Sequence, residues 1–282
     1  MPVGMMSSAS LEGFSSSAVI TPGFRRERVQ GHPENTGTLL PDNVDVHGIP
    51  VTMFDSYEHA VRCVRDRINA GRKTFCVAIN PEKIFGAHRK PVLRDILLKA
   101  NMHICDGVGA AIAARLLHGE RLPRITGVGL FTELMKAAPR ERWCIYLLGA
   151  SPEANEGARR RLEQDHPGIR IVGARDGFFE SNEEVVRDIN DSGAHMLFVA
   201  MGSPKQEQWI IDNYERLDTT FMMGVGGTYD VVSGRVNRAP AFFRKTGTEW
   251  LYRLLSQPSR WRRQTVLPRF ALLTLKAKLS FK

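Results

Sequence analysis

The strongest constraint on what this chain can fold into is the order in which short apolar runs and amphipathic segments alternate along it. KTFCVAI (73–79), MHIC (102–105), RWCIYLLG (142–149), IRIVGAR (169–175), HMLFVAMG (195–202) and TTFMMGVGG (219–227) are brief and rich in β-branched or aromatic residues. Most end at an Asn, Asp or Gly. Helical spacing separates them, over 57–70, 91–100, 108–117, 152–165, 182–191 and 205–214. VDVHGIPV (44–51), ahead of them all, alternates like one strand. Regular βα alternation predicts an α/β fold, a mostly parallel Rossmann-like sheet with helices on both faces. No internal repeat interrupts it.

In such sheets ligands gather where strands end and helix N-termini present backbone N–H groups to anions. The polar and glycine residues just after the strands are therefore the candidate site. Asn80 ends one run and Asp106 the next, so both belong on one rim. A carboxylate there, followed by Gly107 and Gly109, suits a general base that substrate approaches closely. An Asp at that position equally suits the cap of the following helix, and spacing alone favours the cap. Asn80 either binds a sugar hydroxyl through its amide or turns the chain before Pro81. Gly149-Ala150-Ser151 and Gly202-Ser203-Pro204-Lys205-Gln206 are two more strand-to-helix turns able to cradle a phosphate. GVGGTYD (224–230) adds Gly226, Gly227 and Asp230.

None of these turns is diagnostic. GSPKQEQW lacks the GxxxxGK[ST] pattern, GVGGTYD has no GxGxxG, and GVGAA (107–111) has no acid partner about 20 residues on. Asp42 and Asp45 do not make a DxD metal motif. From the residues alone the chain is an enzyme of nucleotides or phosphosugars, with no metal site and no cofactor expected.

Charge separates the two ends. Net charge is +9, yet residues 235–282 alone hold 12 Lys/Arg against Glu249, a net of +11, and everything before them sums to −2. Arg235, Arg238, Arg244, Arg253, Arg260 and Arg263 lie there, interleaved with Trp250, Trp261, Phe270 and Phe281. Such a tail suits phosphates or an anionic membrane surface. A transferase without a metal would need cations like these to stabilise a departing diphosphate.

Other classes are excluded by what is missing. Hydrophobic residues make up 43%, enough for a sizeable core. No run approaches the roughly 18 apolar residues of a membrane span, and residues 1–20 lack the basic and apolar blocks of a secretory signal. A cytoplasmic address is expected. Residues 1–40, with six serines, five glycines and three prolines, are expected to be a disordered leader. Cys63, Cys76, Cys105 and Cys144 have neither zinc nor disulfide spacing, and Cys76 and Cys105 sit in apolar runs as small core residues.

One ordered series of motifs goes further: AINPE (78–82), CDGVG (105–109), LLGAS (147–151), RDGFF (175–179), MGSPKQEQW (201–209), GVGGTYDVVSGRVNRAP (224–240) and EWLYRLLSQPSRWRRQ (249–264). It resembles the WecG/TagA/CpsF family of bacterial glycosyltransferases from about Val44 to Arg263. Each motif alone is modest, but seven in order are highly specific. The resemblance implies metal-independent, inverting transfer of a sugar from a UDP-sugar donor to a polyprenyl-diphosphate-linked glycan, at the inner face of the plasma membrane, in cell-surface or exopolysaccharide biosynthesis. N-acetylmannosamine, glucose or a related sugar would be transferred. By the same likeness Asp106 becomes the favoured base, Asn80 lies beside it, and Gln206 enters the donor pocket. Gly226, Gly227 and Asp230 surround the nucleotide, and Arg238, Arg253 and Arg260 belong to a C-terminal segment that closes over the site and docks on the membrane. The implied organisation is a leader (1–40), a catalytic domain (41–234) and a basic helical appendage (235–282). Self-association is left open.

One departure stands out: many relatives carry Thr two residues before the Asn, and this chain has Ala78, which implies a different donor or acceptor sugar. Two other classes compete. An NAD(P)-dependent oxidoreductase would use Gly107-x-Gly109 and bind NAD(P) rather than UDP. A nucleic-acid-binding protein would use the Arg/Trp tail, but no RNP-type aromatic motif is present and basicity is confined to one end.

Overall fold

A computed structural model describes residues 39–237, 239–240, 242–243, 248–256, 261 and 265–280, with the side chains of Arg253 and Ser256 excepted. Six parallel strands form the central sheet: β3 (Thr74–Ile79), β4 (Met102–Cys105), β5 (Cys144–Gly149), β6 (Arg170–Arg175), β7 (Met196–Ala200) and β8 (Phe221–Gly224), in the order β4-β3-β8-β7-β5-β6. The connecting helices are α1 (Tyr57–Asn69), α2 (Pro81–Arg89), α3 (Pro91–Leu98), α4 (Val108–His118), α5 (Gly127–Glu141), α6 (Pro152–Asp165), α7 (Asn182–Asp191), α8 (Lys205–Asn213) and α9 (Thr228–Val232).

The expected α/β fold with helices on both faces is what forms, and the strands show why. Side chains alternate across a strand. Phe75, Val77 and Ile79 of β3, with Leu197 and Val199 of β7, enter one core; Cys76 and Ala78, with Met196, Phe198 and Ala200, enter the other. Both faces of the sheet are covered, which explains unbroken apolar runs in place of polar alternation. All four cysteines are free and buried. Full burial of a side chain such as Phe198 contributes about 1.5–3 kcal/mol.

Three sequence expectations change. VDVHGIPV is a hairpin, β1 (Asn43–Val46) against β2 (Ile49–Thr52), because His47 and Gly48 both take positive φ (57° and 78°), as a tight hairpin turn requires. Helix α2 replaces the plain turn at Asn80-Pro81, with Asn80 as N-cap and Pro81 in the first helical position, where a missing N–H costs nothing. Helix α5 was likewise not anticipated; Thr126 caps it by accepting the Gly129 N–H at 3.0 Å.

Two further helices, Glu249–Ser256 and Val266–Ser280, belong to the C-terminal segment. The second packs on α2 and α4. It buries Phe270, and Thr274 Oγ1 lies 2.9 Å from His47 Nε2. Burial, with the charges of His88 and His118 adding, lowers the His47 pKa to about 4, so this contact is made to a neutral ring.

Candidate active site

Because every strand of the sheet runs in one direction, the residues that follow β3, β4, β7 and β8 meet at a single edge. A cavity of about 1320 Å³ opens there, lined among others by Asn80, Asp106, Gly202, Gln206, Gly226, Gly227 and Asp230. Seven of the candidate residues thus share one space. Gly149 is not among its lining residues: at φ +104°, a Cβ there would stand 2.6 Å from the Ala200 carbonyl oxygen, so the sheet itself requires glycine. Arg238 and Arg260 lie outside the described residues, and so does the side chain of Arg253.

Asp106 is held beside Asn80 by an extra rung of the parallel ladder, its N–H donating to the Ile79 carbonyl at 2.8 Å. The N-cap position of α4 is taken by Gly107 (φ +121°), not by Asp106. Its Oδ2 lies 3.9 Å from where a Cβ on Gly127 would stand, so the carboxylate faces the start of α5. Gly109 has a packing reason, since a Cβ there would come within 2.5 Å of the Pro81 ring. The glycines that suggested a dinucleotide fingerprint instead let α2 and α4 approach closely enough to bring Asn80 and Asp106 together.

Asn80 uses one side of its amide within the fold. Its Oδ1 accepts the Lys83 N–H at 3.0 Å, while the NH₂ group has no hydrogen-bond partner among the described residues. Gln206 is committed on both sides. Its Oε1 accepts the Gly226 N–H at 2.9 Å and its Nε2 donates to Glu207 Oε1 at 2.9 Å. A Cβ on Gly224 would fall 2.4 Å from Gln206 Nε2, so residue 224 must be glycine for this clamp to close. Gln206 therefore shapes the Gly226 loop while lining the same cavity as Asn80 and Asp106.

Lys83, Glu207, Arg124 and Thr126 were not among the expected site residues. Lys83 donates to Glu207 Oε1 at 2.8 Å, across 124 residues of sequence, in a buried ion pair that ties the β3 and β7 turns together. Burial pushes the Glu207 carboxyl up, but the Lys83 ammonium and hydrogen bonds from Lys83 and Gln206 outweigh it and hold the pKa below its ordinary value. Arg124 pairs with Glu249 at 2.6 Å, fastening the C-terminal segment to the rim. Thr126 shares its hydroxyl with Tyr57 at 3.1 Å. Glu207 was visible in the PKQE stretch, and Asn80-Pro81 carried a helix-start signal that pointed to Lys83 in the first turn.

The rim also gathers helix N-termini. Pro81, Val108, Gly127, Gln206 and Thr228, in the first turns of α2, α4, α5, α8 and α9, all line the cavity. A helix N-terminus carries roughly half a positive charge. The starts of α4, α8 and α9 have no side-chain cap. Such a ring suits a diphosphate. Among the described residues no cluster of three or more His, Cys, Asp or Glu is placed to hold a metal ion, and no helix is long and apolar enough to cross a membrane.

The chain matches the glycosyl transferase WecG/TagA/CpsF family over residues 44–282, past Arg263, where the recognisable motifs stop. It is 35% identical over 209 residues to the N-acetylglucosaminyldiphosphoundecaprenol N-acetyl-β-D-mannosaminyltransferase of Bacillus spizizenii, covering 74% of this chain and 81% of that one. It is 35% identical over 199 residues to the enzyme of the same name from Bacillus subtilis, covering 70% and 77%. With an α/β fold, a rim that gathers the family's motif residues and a match across nearly all of the described chain, this protein is a glycosyltransferase and belongs to the WecG/TagA/CpsF family.

Proposed function

We propose that the protein transfers a sugar from a UDP-sugar to a polyprenyl-diphosphate-linked sugar with inversion at the anomeric carbon, without a metal. The observation that carries this reading is the placement of Asp106 beside Asn80 on a cavity ringed by helix N-termini. Asp106 takes the proton from the acceptor hydroxyl as that oxygen attacks the anomeric carbon on the face opposite UDP. The new glycosidic C–O bond forms as the C–O bond to UDP breaks. Asn80 orients a sugar hydroxyl through its NH₂ group. Charge on the leaving diphosphate is met by the N-terminal N–H groups of the rim, which are in place before reaction, and by arginines of the C-terminal segment. Gly226, Gly227 and Asp230 bound the nucleotide side of the cavity.

The two relatives are named for N-acetylmannosamine transfer to a diphosphoundecaprenol-linked N-acetylglucosamine. The donor is N-acetylmannosamine, glucose or a close relative, and Ala78, which lines the cavity, is a point at which donor or acceptor can differ from theirs. Acceptor-dependent UDP release in EDTA, across a panel of UDP-sugars, tests the reading: one donor is expected to support turnover. No release with any donor from folded protein that also fails to bind UDP would refute it.

Residues 41–234 act in this reading as the catalytic unit, and 235–282 as the part that closes the site and rests on the membrane. Trp250, Leu255, Trp261, Leu272 and Leu279 are exposed apolar side chains on a segment of net charge +11. Binding to vesicles containing anionic lipid is expected, weakening as salt rises. Equal binding to neutral vesicles at all salt concentrations would remove the electrostatic attraction, and no binding to either vesicle would remove the membrane role and the peripheral location with it.

A further inference from the structure

Away from Asp106 the cavity continues between two helices as an apolar trough. Val108, Ile112 and Leu116 follow at four-residue steps along α4, and Leu267, Ala271 and Leu275 do the same along the Val266–Ser280 helix; all six line the cavity. Four-residue spacing places each trio on one helix face. Helices that simply packed on each other would bury these stripes. Instead Val108, Ile112, Leu116 and Leu275 are 37%, 51%, 37% and 51% exposed, while Ala110, Ala113 and Ala114 on the inner side of α4 are buried.

We infer that this trough holds the first isoprene units of the acceptor lipid. The inference rests on the transferase reading, and three features select this occupant. The trough begins at Val108, two residues after Asp106, and runs along α4 for about 12 Å. A sugar whose hydroxyl sits at Asp106 is joined to its lipid only through a diphosphate, so the lipid must leave the site close to the base. The walls are apolar and lie open, as a flexible hydrocarbon needs. Arg89 and Lys90, at the end of α2 away from Asn80, line the same cavity. Cations at that outlet suit the anionic surface from which a lipid substrate would enter.

The test compares two acceptors with the same diphospho-sugar, one ending in methyl and one in two isoprene units, below their micelle concentrations and without detergent or vesicles. Bulk membrane attraction is then absent. Wild type is expected to show a KM at least about tenfold lower for the prenyl acceptor, the size of gaining part of a leucine-sized apolar contact. Ile112→Asn/Leu275→Asn should remove most of that difference, with kcat on the methyl acceptor and UDP affinity both unchanged. Equal KM values in wild type, or a full chain-length preference kept by the double variant, would overturn the trough. Failure of wild type to use either acceptor would overturn the transferase reading first, which separates the two.

Discussion

Asp106→Asn is expected to lower turnover by about 10²–10⁴-fold, the usual contribution of a general base, with UDP affinity and thermal stability close to wild type. The substitution replaces one carboxylate oxygen with an NH₂ group. The Asp106 N–H bond to Ile79 belongs to the backbone and survives. Asn has no basic oxygen with which to take the acceptor proton, so the loss should fall on kcat. Asp106→Glu should recover less than wild-type activity, because the added methylene drives the carboxylate toward the start of α5, where Gly127 already stands near. Turnover of Asp106→Asn within about twofold of wild type would end its assignment as the base and leave proton removal to another group on the rim.

Lys83→Met is expected to destabilise the fold by about 3–5 kcal/mol, the cost of leaving one partner of a buried ion pair uncompensated. The side chains of Lys83 and Glu207 are 9% and 1% exposed, so water cannot replace the lost partner. Met matches the length of the lysine stem, which confines the change to the charge. Adding Glu207→Met should restore much of the stability, because the pair is then replaced by apolar groups. The double variant should still lose activity, since Gln206 loses its Glu207 acceptor and the Gly226 turn loses a firm clamp. Chemical denaturation of the single and double variants closes the cycle; a Lys83→Met protein as stable as wild type would mean the pair contributes nothing. The sign with pH follows from the depressed Glu207 pKa. Its contribution is full at neutral pH and is lost as pH falls through that lowered value.

What was legible in the sequence was the part governed by local periodicity and by which residue ends each strand. Short β-branched runs between helical stretches can cover their apolar faces in few ways, and a mostly parallel sheet buried on both sides is the one that forms. The turn residues Asn80, Asp106, Gly202 and Gly226 were candidates because a strand stops there, and parallel strands stop at one edge. Helices α2 and α5 were harder to see. In α2 the signal was a cap, Asn80-Pro81, and in α5 it was Thr126 over Gly129, each a single side chain and not a long periodic face.

The tertiary structure alone decided which turns meet and what each side chain does there. Strand order β4-β3-β8-β7-β5-β6 places β8 between β3 and β7, so residues from positions 80, 106, 206 and 226 share one cavity. The Lys83–Glu207 pair exists only because of that order. So do the clamp that Gln206 places on the Gly226 turn and the contact of Gly109 with Pro81. Capping, spacing and alternation act over a few residues and can be read along the chain. Burial of a charge pair, or a 2.5 Å clash with a proline ring, depends on distant segments brought together by the sheet.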